Sequence, residues 1–423
     1  MITRRTFVSG ALLASSGLVA FSGKCVGAAT DSLPPGDDVG DALNARISSL
    51  ARQGGGTLHL QDGVYGTRLP IRLHGAVELV GSGKTILRAA APIGGTAMRS
   101  LVETPEGERN CGLVNLTLDC ADKVSFAAWS AVAPIGLRCE AVSVVGWHFG
   151  LHFVSSRDIS AQDVVIRNTL VRDGGRRQVY PVFLSSTVGG QPFRRLTIDG
   201  LEIVGPGGAY ARENAATADQ LALQNVQGFT ITNVVSRDGG ENGIVIVRGS
   251  RDGVLRNITA AGADGHGLQI GGGGVVATVE APVFLAKNST VRGGESGAEA
   301  RVDLVQGNRV WLSRLVRRQF IPGEELWSGG TSTVIRELEY CRNISVDGLR
   351  AVGNGRNVAR AKGLFAGLYI SHAEDIKLAG LDLETPPGGV SLLVNNSRRV
   401  PCQLAMRAGT AKVQQTGEVS CAS

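Results

Sequence analysis

The chain has 423 residues, 59 of them glycine and 20 aromatic, and only 19% are charged. Hydrophobic residues at 43% exclude a disordered tail, and the lack of a three-residue glycine period excludes collagen. The net charge of +6 falls to +3 once the first 28 residues are removed, too little for a nucleic-acid binder held by phosphate contacts. Excess glycine with few aromatics predicts many short strands joined by tight turns, in one continuous body.

Thr3-Arg4-Arg5-Thr6-Phe7-Val8 is a twin-arginine pattern, followed by an apolar run from Val8 to Phe21. That run is shorter than the ~20 residues of a membrane span. Val26 and Ala28 supply small residues before a cleavage site. Residues 1–28 are therefore expected to be an export signal read by the twin-arginine machinery, with an ordinary secretion signal as the alternative. The mature chain, 29–423, is expected in the periplasm or secreted, with no stable membrane insertion after cleavage. Cys25 leaves with the signal, and six cysteines remain. In an oxidising compartment they allow three disulfides, of which Cys402–Cys421 is the expected one, while Cys139 in an apolar strand position also reads as a reduced core thiol.

Asp37 to Gln53 predicts a capping helix, with Val39, Leu43, Ile47 and Leu50 on one face behind the possible N-caps Asp37 and Asp38. Gly54 to Tyr65 reads as a first strand pair. Gly81-Ser-Gly-Lys-Thr85 imitates a phosphate-binding loop, but Glu78 replaces the required glycine and no helical pattern follows. Next comes an internal repeat: Leu196-Thr-Ile198-Asp-Gly-Leu201 aligns with Ile344-Ser-Val346-Asp-Gly-Leu349, Ile376 to Leu381, Phe229 to Val234 and Ile159 to Val164. A second short strand recurs as Gly150-Leu-His-Phe153, Gly243-Ile-Val-Ile246, Gly267-Leu-Gln-Ile270 and Gly367-Leu-Tyr-Ile370. Alternating strands broken at Gly, Asn and Asp, with this wide spacing, predict an all-β chain: a single-stranded, right-handed parallel β-helix. Between Val291 and Tyr340 the repeat fades among Arg314, Arg317, Arg318, Phe320 and Trp327, which predicts a long loop over one face. Residues 386–423 are expected to close the last turn.

Asp219-Gln-Leu-Ala-Leu223, Asn242-Gly-Ile-Val-Ile246 and His266-Gly-Leu-Gln-Ile270 stack by their wording. Their leading residues, Asp219, Asn242 and His266, then form one outer column at about 5 Å intervals. Glu241 precedes Asn242, with Asp238 and Asp264 nearby. Two carboxylates across such a cleft suit acid and base in glycoside hydrolysis. Asparagine and aspartate are equally ordinary corner residues. His148 and His152 flank a segment where Trp147 and His148 can hold a sugar ring; a strand does not give them the metal-binding spacing of a helix. The pairs Arg176-Arg177 and Arg194-Arg195 can grip carboxylates. No zinc or calcium spacing is present, so no cofactor is expected.

The helix followed by Gly54-Gly-Gly-Thr-Leu-His-Leu-Gln-Asp-Gly-Val-Tyr65 resembles the opening of pectate-lyase-like β-helix proteins, and the likeness runs from about Asp37 onward. The column resembles the site of polygalacturonase-type glycoside hydrolases. On that resemblance Asp219 is the base toward water, Glu241 the general acid, Gly265-His266-Gly267 the histidine motif, and Arg301 the arginine of the Arg-Ile-Lys element. Asn242 replaces one paired aspartate and Asp303 replaces the lysine, which weakens a claim for a galacturonate substrate. The resemblance implies an exported enzyme acting on a polysaccharide, by hydrolysis. The alternatives are a lyase or epimerase on uronate polymers, and a non-catalytic solenoid that binds polysaccharide.

Overall fold

The structure is a computed structural model that describes residues 33–174, 179–205, 219–282, 284–316, 319–356, 365–386, 389–401, 413–416 and 420–422. The expected signal, 1–28, and Cys402 lie outside them, as do Arg176 and Arg177. The chain winds into a right-handed parallel β-helix. One sheet of eleven short parallel strands runs from Ile71–Arg72 through Phe149–Ser155, Leu221–Gln224 and Leu268–Gly271 to Val413–Thr416. A second sheet, of fifteen mostly longer strands, supplies the remaining faces. Parallel pairing keeps the rungs of the short-strand sheet in register, so each alternating strand sends the same positions inward. Leu151, Val182, Leu221, Ile244, Leu268, Leu368 and Leu392 form one inward row. All are buried in a core that runs the length of the coil. Among the described residues no helix is long and apolar enough to cross a membrane.

The breaks in the repeat are corners with positive φ. Each long strand bends twice, first at a row holding Asp163, Arg195, Gly228 and Asp252, then at one holding Asn168, Gly200, Asn233 and Asn257. The second row is laced by side chains: Asn257 Nδ2 donates to Asn233 Oδ1 at 2.7 Å, and Asn233 Nδ2 to Asp199 Oδ1 at 2.7 Å. The register also corrects one alignment. Val164 pairs with Leu196, not Leu201, whose partner is Thr169. Asp163 and Asn168 are both left-handed corner residues, so the motif matched the wrong bend. At the start of the short strands, a Cβ on Gly243 would lie 2.7 Å from the Gly267 carbonyl, and one on Gly267 would lie 2.7 Å from that of Gly367. That is why the Gly-Leu wording recurs.

The capping helix spans Gly40–Arg52, shorter than expected, and buries Leu43 and Ile47 against the first rungs. Its N-cap is Val39 with no side-chain cap, so neither Asp37 nor Asp38 fills that role. The phosphate-loop imitation is a strand corner: Val77–Val80 turns directly into Thr85–Ala89, and the Thr85 hydroxyl donates to the Gln61 carbonyl at 2.8 Å. Cys111, Cys120, Cys139 and Cys341 are free and buried, which leaves no room for three disulfides; burial pushes the Cys139 thiol up to about 12. The end of the chain adds rungs to the coil, since Leu392 pairs with Val413 and Val400 with Cys421.

The expected loop between Val291 and Tyr340 is instead part of a closed six-stranded antiparallel barrel, Val275–Val279 through Thr331–Glu339, inserted between two rungs of the coil. It has its own core, including Val275, Val302, Phe320, Leu326 and Ile335. Hairpin pairing breaks the rung-length period, which is why the repeat fades there. Glu324, almost fully buried, ties the barrel together: its carboxylate accepts from the backbone N–H of Ile321 at 2.7 Å, Ser296 at 2.9 Å and Glu295 at 3.1 Å, and from the Ser296 hydroxyl at 2.9 Å. Glu324→Ala strands four donors and should destabilise the barrel by ~3 kcal/mol. Denaturant unfolding followed by the fluorescence of the barrel tryptophans Trp311 and Trp327 checks this; an unchanged midpoint would refute it.

Candidate functional site

The short-strand register places the column as its wording predicts. Two residues before the inward Val182, Leu221, Ile244 and Leu268 stand Tyr180, Asp219, Asn242 and His266. Backbone hydrogen bonds carry the parallel pattern through the corner, from Gln220 N to Asn242 O and from Gly243 N to His266 O. Phe149 pairs with Tyr180 and Ala366 with Val390, so the same outward row continues at both ends.

Asn242, 7% exposed, is the hinge of the group. Its Nδ2 donates to Asp219 Oδ1 at 2.8 Å, and its Oδ1 accepts the His266 backbone N–H at 2.8 Å. Both ends of the amide are thereby engaged, so Asn242 holds its two neighbours in place. The carboxyl of Asp219 is enclosed, and this raises its pKa above the usual aspartate range, although the two Asn242 donors pull the other way. His266 Nδ1 accepts the Ala366 N–H at 3.0 Å, and the ring stacks on Tyr369 at 4.6 Å. Burial lowers its pKa to about 4. Gly265 and Gly267 are sterically required around it, since a Cβ on Gly265 would stand 2.6 Å from Asn242 Oδ1.

Tyr180 joins the column without having been singled out in the sequence. Burial, then the charges of Asp219 and Glu241, push its hydroxyl up to about 12, which puts all three groups in one neighbourhood. The signal was its offset of two from Val182, hidden because Pro181 stands where other rungs carry glycine. Arg356 was missed as well. Its Nη2 meets Asp238 Oδ1 at 2.9 Å, and its Nε lies 4.0 Å from Asp264 Oδ1, on the corner just before the column. Asp238 thus holds an arginine at the edge of the site.

Three expected contacts fall elsewhere. Trp147 is 1% exposed and donates its indole N–H to the Arg172 carbonyl at 2.9 Å, so it belongs to the core and not to a sugar platform. His148 sits at a corner, with Nδ1 3.3 Å from the Ser125 carbonyl, four rungs from His266. Arg301 lies in the inserted barrel and donates to Asn288, since its strand pairs antiparallel within the barrel instead of forming a rung. Thr217 of the Asp219 motif lies outside the described residues. Among the described residues, no group of three or more His, Cys, Asp or Glu is arranged to hold a metal ion.

No family model matches the chain, and no curated protein sequence matches it. Solved structures do share its fold. The A-module of the Azotobacter vinelandii mannuronan C-5 epimerase AlgE4 aligns over 92% of this chain and 94% of its own, at 14% identity and a TM-score of 0.50. An alginate lyase from Paenibacillus sp. covers 86% of this chain and 98% of its own, at 12% identity and a TM-score of 0.48. PfbA, a surface adhesin of Streptococcus pneumoniae, covers 93% and 90%, at 8% identity and a TM-score of 0.44. At these identities the likeness is one of fold, the parallel β-helix.

Proposed function

We propose that this protein is an exported carbohydrate-active enzyme that hydrolyses a polysaccharide, with Asp219 and Glu241 as its two working carboxyls. The observation that carries the reading is the enclosed Asp219, its pKa raised, on the rung beside Glu241 in an outward row. Environment assigns the roles, and it reverses those expected from the motif. A raised carboxyl is the better proton donor, so Asp219 gives its proton to the departing glycosidic oxygen. Glu241 takes a proton from the water that attacks the anomeric carbon.

His266 has a different part. Its Nδ1 already accepts an amide proton, so the neutral ring must carry its hydrogen on Nε2. With a pKa of about 4 it stays neutral and acts as a hydrogen-bond donor toward a sugar oxygen, not as acid or base. The Tyr180 hydroxyl, up at about 12, is a second neutral donor. These two donors also favour a second reading, a lyase or epimerase acting on uronate polymers. There neutral donors receive the substrate carboxylate while a base removes the C5 proton, and a mannuronan epimerase shares the fold.

Screening pectin, alginate and glycosaminoglycans separates the two. Hydrolysis yields reducing ends without ultraviolet absorbance, whereas elimination yields an absorbing unsaturated uronate. Growth of absorbance with any polymer would transfer the assignment to a lyase. Glu241→Gln should lower turnover by ~10²–10⁴ with folding intact; wild-type turnover would refute the site. His266→Ala should cost less.

Asp219→Asn should abolish turnover while stabilising the fold at neutral pH. The sign follows from linkage: a raised carboxyl stabilises the fold below its unfolded pKa, and that contribution is lost as pH rises through the folded value. The melting temperature of Asp219→Asn should therefore equal or exceed wild type at pH 7, with the advantage vanishing toward pH ~3. A melting temperature below wild type at pH 7 would show that the Asp219 carboxylate is stabilised, not strained. Imidazole NMR should find the His266 ring neutral, protonated on Nε2, from pH 7 down to about 4. A midpoint near 6.5 would restore it as an acid–base candidate.

A further inference from the structure

The outward row that carries Asp219, Asn242 and His266 does not end at Tyr180. On the three rungs that precede Asp219, five rings form one connected surface outside the coil. Phe126 lies 5.0 Å from Phe149 and 4.7 Å from His152. His152 stacks on Phe183 with centroids 5.3 Å apart and only 7° between planes. Phe183 meets Tyr180 at 4.9 Å, and Tyr180 meets Phe149 at 5.9 Å, which closes the ring of contacts. All five residues are half-buried. They are not core: the inward positions of those rungs are Leu151, Phe153, Val182 and Leu184.

Elsewhere the same outward positions hold other side chains. In register with His152 and Phe183 stand Ser130 on one side, then Ala222, Val245 and Gln269 on the other, before a lone ring returns at Tyr369, stacked on His266. Nothing in the coil requires rings there, and a contiguous apolar surface outside a fold marks a binding surface. Two of its ionisable members are uncharged at neutral pH: His152, whose pKa burial lowers to about 4, and the Tyr180 hydroxyl, up at about 12; the ring of His148 borders the surface, 5.4 Å from Phe149. The five rings present apolar faces, which suit the apolar faces of sugar rings better than a charged peptide or a phosphate.

We propose that Phe126, Phe149, His152, Tyr180 and Phe183 form a glycan-binding platform, on which successive sugar rings of a polysaccharide lie as the chain runs along the coil axis toward Asp219. The inference rests on the proposed polysaccharide activity and adds the direction and place of binding. Continuity commits the surface to the substrate: Phe149 and Tyr180 are the next members of the row that holds Asp219. The platform spans three rungs, so it serves long chains and is out of reach for a short oligosaccharide held at the column alone.

The test uses the full-length mature protein and two readouts. Binding of sodium alginate, polygalacturonate and laminarin is measured by affinity electrophoresis for wild type, Phe183→Ala, Phe126→Ala and Phe183→Leu. The leucine variant keeps apolar volume but removes the ring. With the polymer that wild type binds, both alanine variants and Phe183→Leu should weaken binding about tenfold, with the far-ultraviolet circular dichroism spectrum unchanged. In turnover, KM for that polymer should rise with kcat kept, while short oligosaccharides should be unaffected. Retention of wild-type binding by Phe183→Leu and both alanine variants overturns the platform and leaves the enzyme reading standing. Failure of wild type to bind any of the three polymers overturns both. A dimer in sedimentation that Phe183→Ala dissociates would assign the surface to self-association, and so overturn the platform.

Discussion

Stacking of backbone rungs by parallel hydrogen bonds, about 4.8 Å apart, is the constraint on which everything else in this molecule depends. Because the register never slips along the short-strand sheet, a residue's place within its rung decides which residues it meets above and below. Inward places collect Leu, Ile and Val into one core. Outward places collect whatever chemistry the turns provide, and nearby rungs bring it within hydrogen-bonding reach. Residues 23 or 24 apart in sequence, such as Asp219, Asn242 and His266, thereby touch.

That architecture separates stability from chemistry. Asn242 can lie almost buried and hold both neighbours, because its amide replaces at the corner the bonds the backbone makes in the strands. Asp219 keeps a raised pKa in spite of the Asn242 donors, because burial outweighs them, a state that costs folding energy when the carboxyl ionises. The surrounding coil, with its continuous core, supplies the stability against which that cost is small. His266 shows the same division. One ring nitrogen is used by the fold, through the Ala366 amide, and the other is left as a donor whose proton does not leave at neutral pH.

The inserted barrel follows different rules. Antiparallel pairing closes it on itself, and its core is distinct from that of the coil. It meets the coil at a cleft lined by Ser186, Asn225, Arg248, Gly274 and Trp311, beside the outer end of the short strands. Arg248 acts on Tyr180 from there, lowering the hydroxyl's pKa against the two carboxylates. The outer face of the short strands is thus bordered by the acidic corner on one side and by the barrel on the other.

Period and alternation are local properties, so the sequence alone determined the parallel coil, the capping helix, the recurrence of glycine at Gly243 and Gly267, and the Asp219–Asn242–His266 column. Each can be read from spacing because stacked rungs convert spacing into contact. What depends on which bend a residue occupies was decided only in three dimensions. Asp163 and Asn168 are the same kind of corner residue, and only the pairing of Thr169 with Leu201 tells them apart. Tyr180 entered the column through an offset that Pro181 concealed, and Trp147 left the surface because its rung turns it inward to the Arg172 carbonyl. Arg301 and the barrel were beyond reach for the same reason: once strands pair antiparallel, the distance along the chain no longer states which residues meet. The proton assignments of Asp219 and His266 depend on enclosure and on single hydrogen bonds, and these exist only after the rungs have stacked.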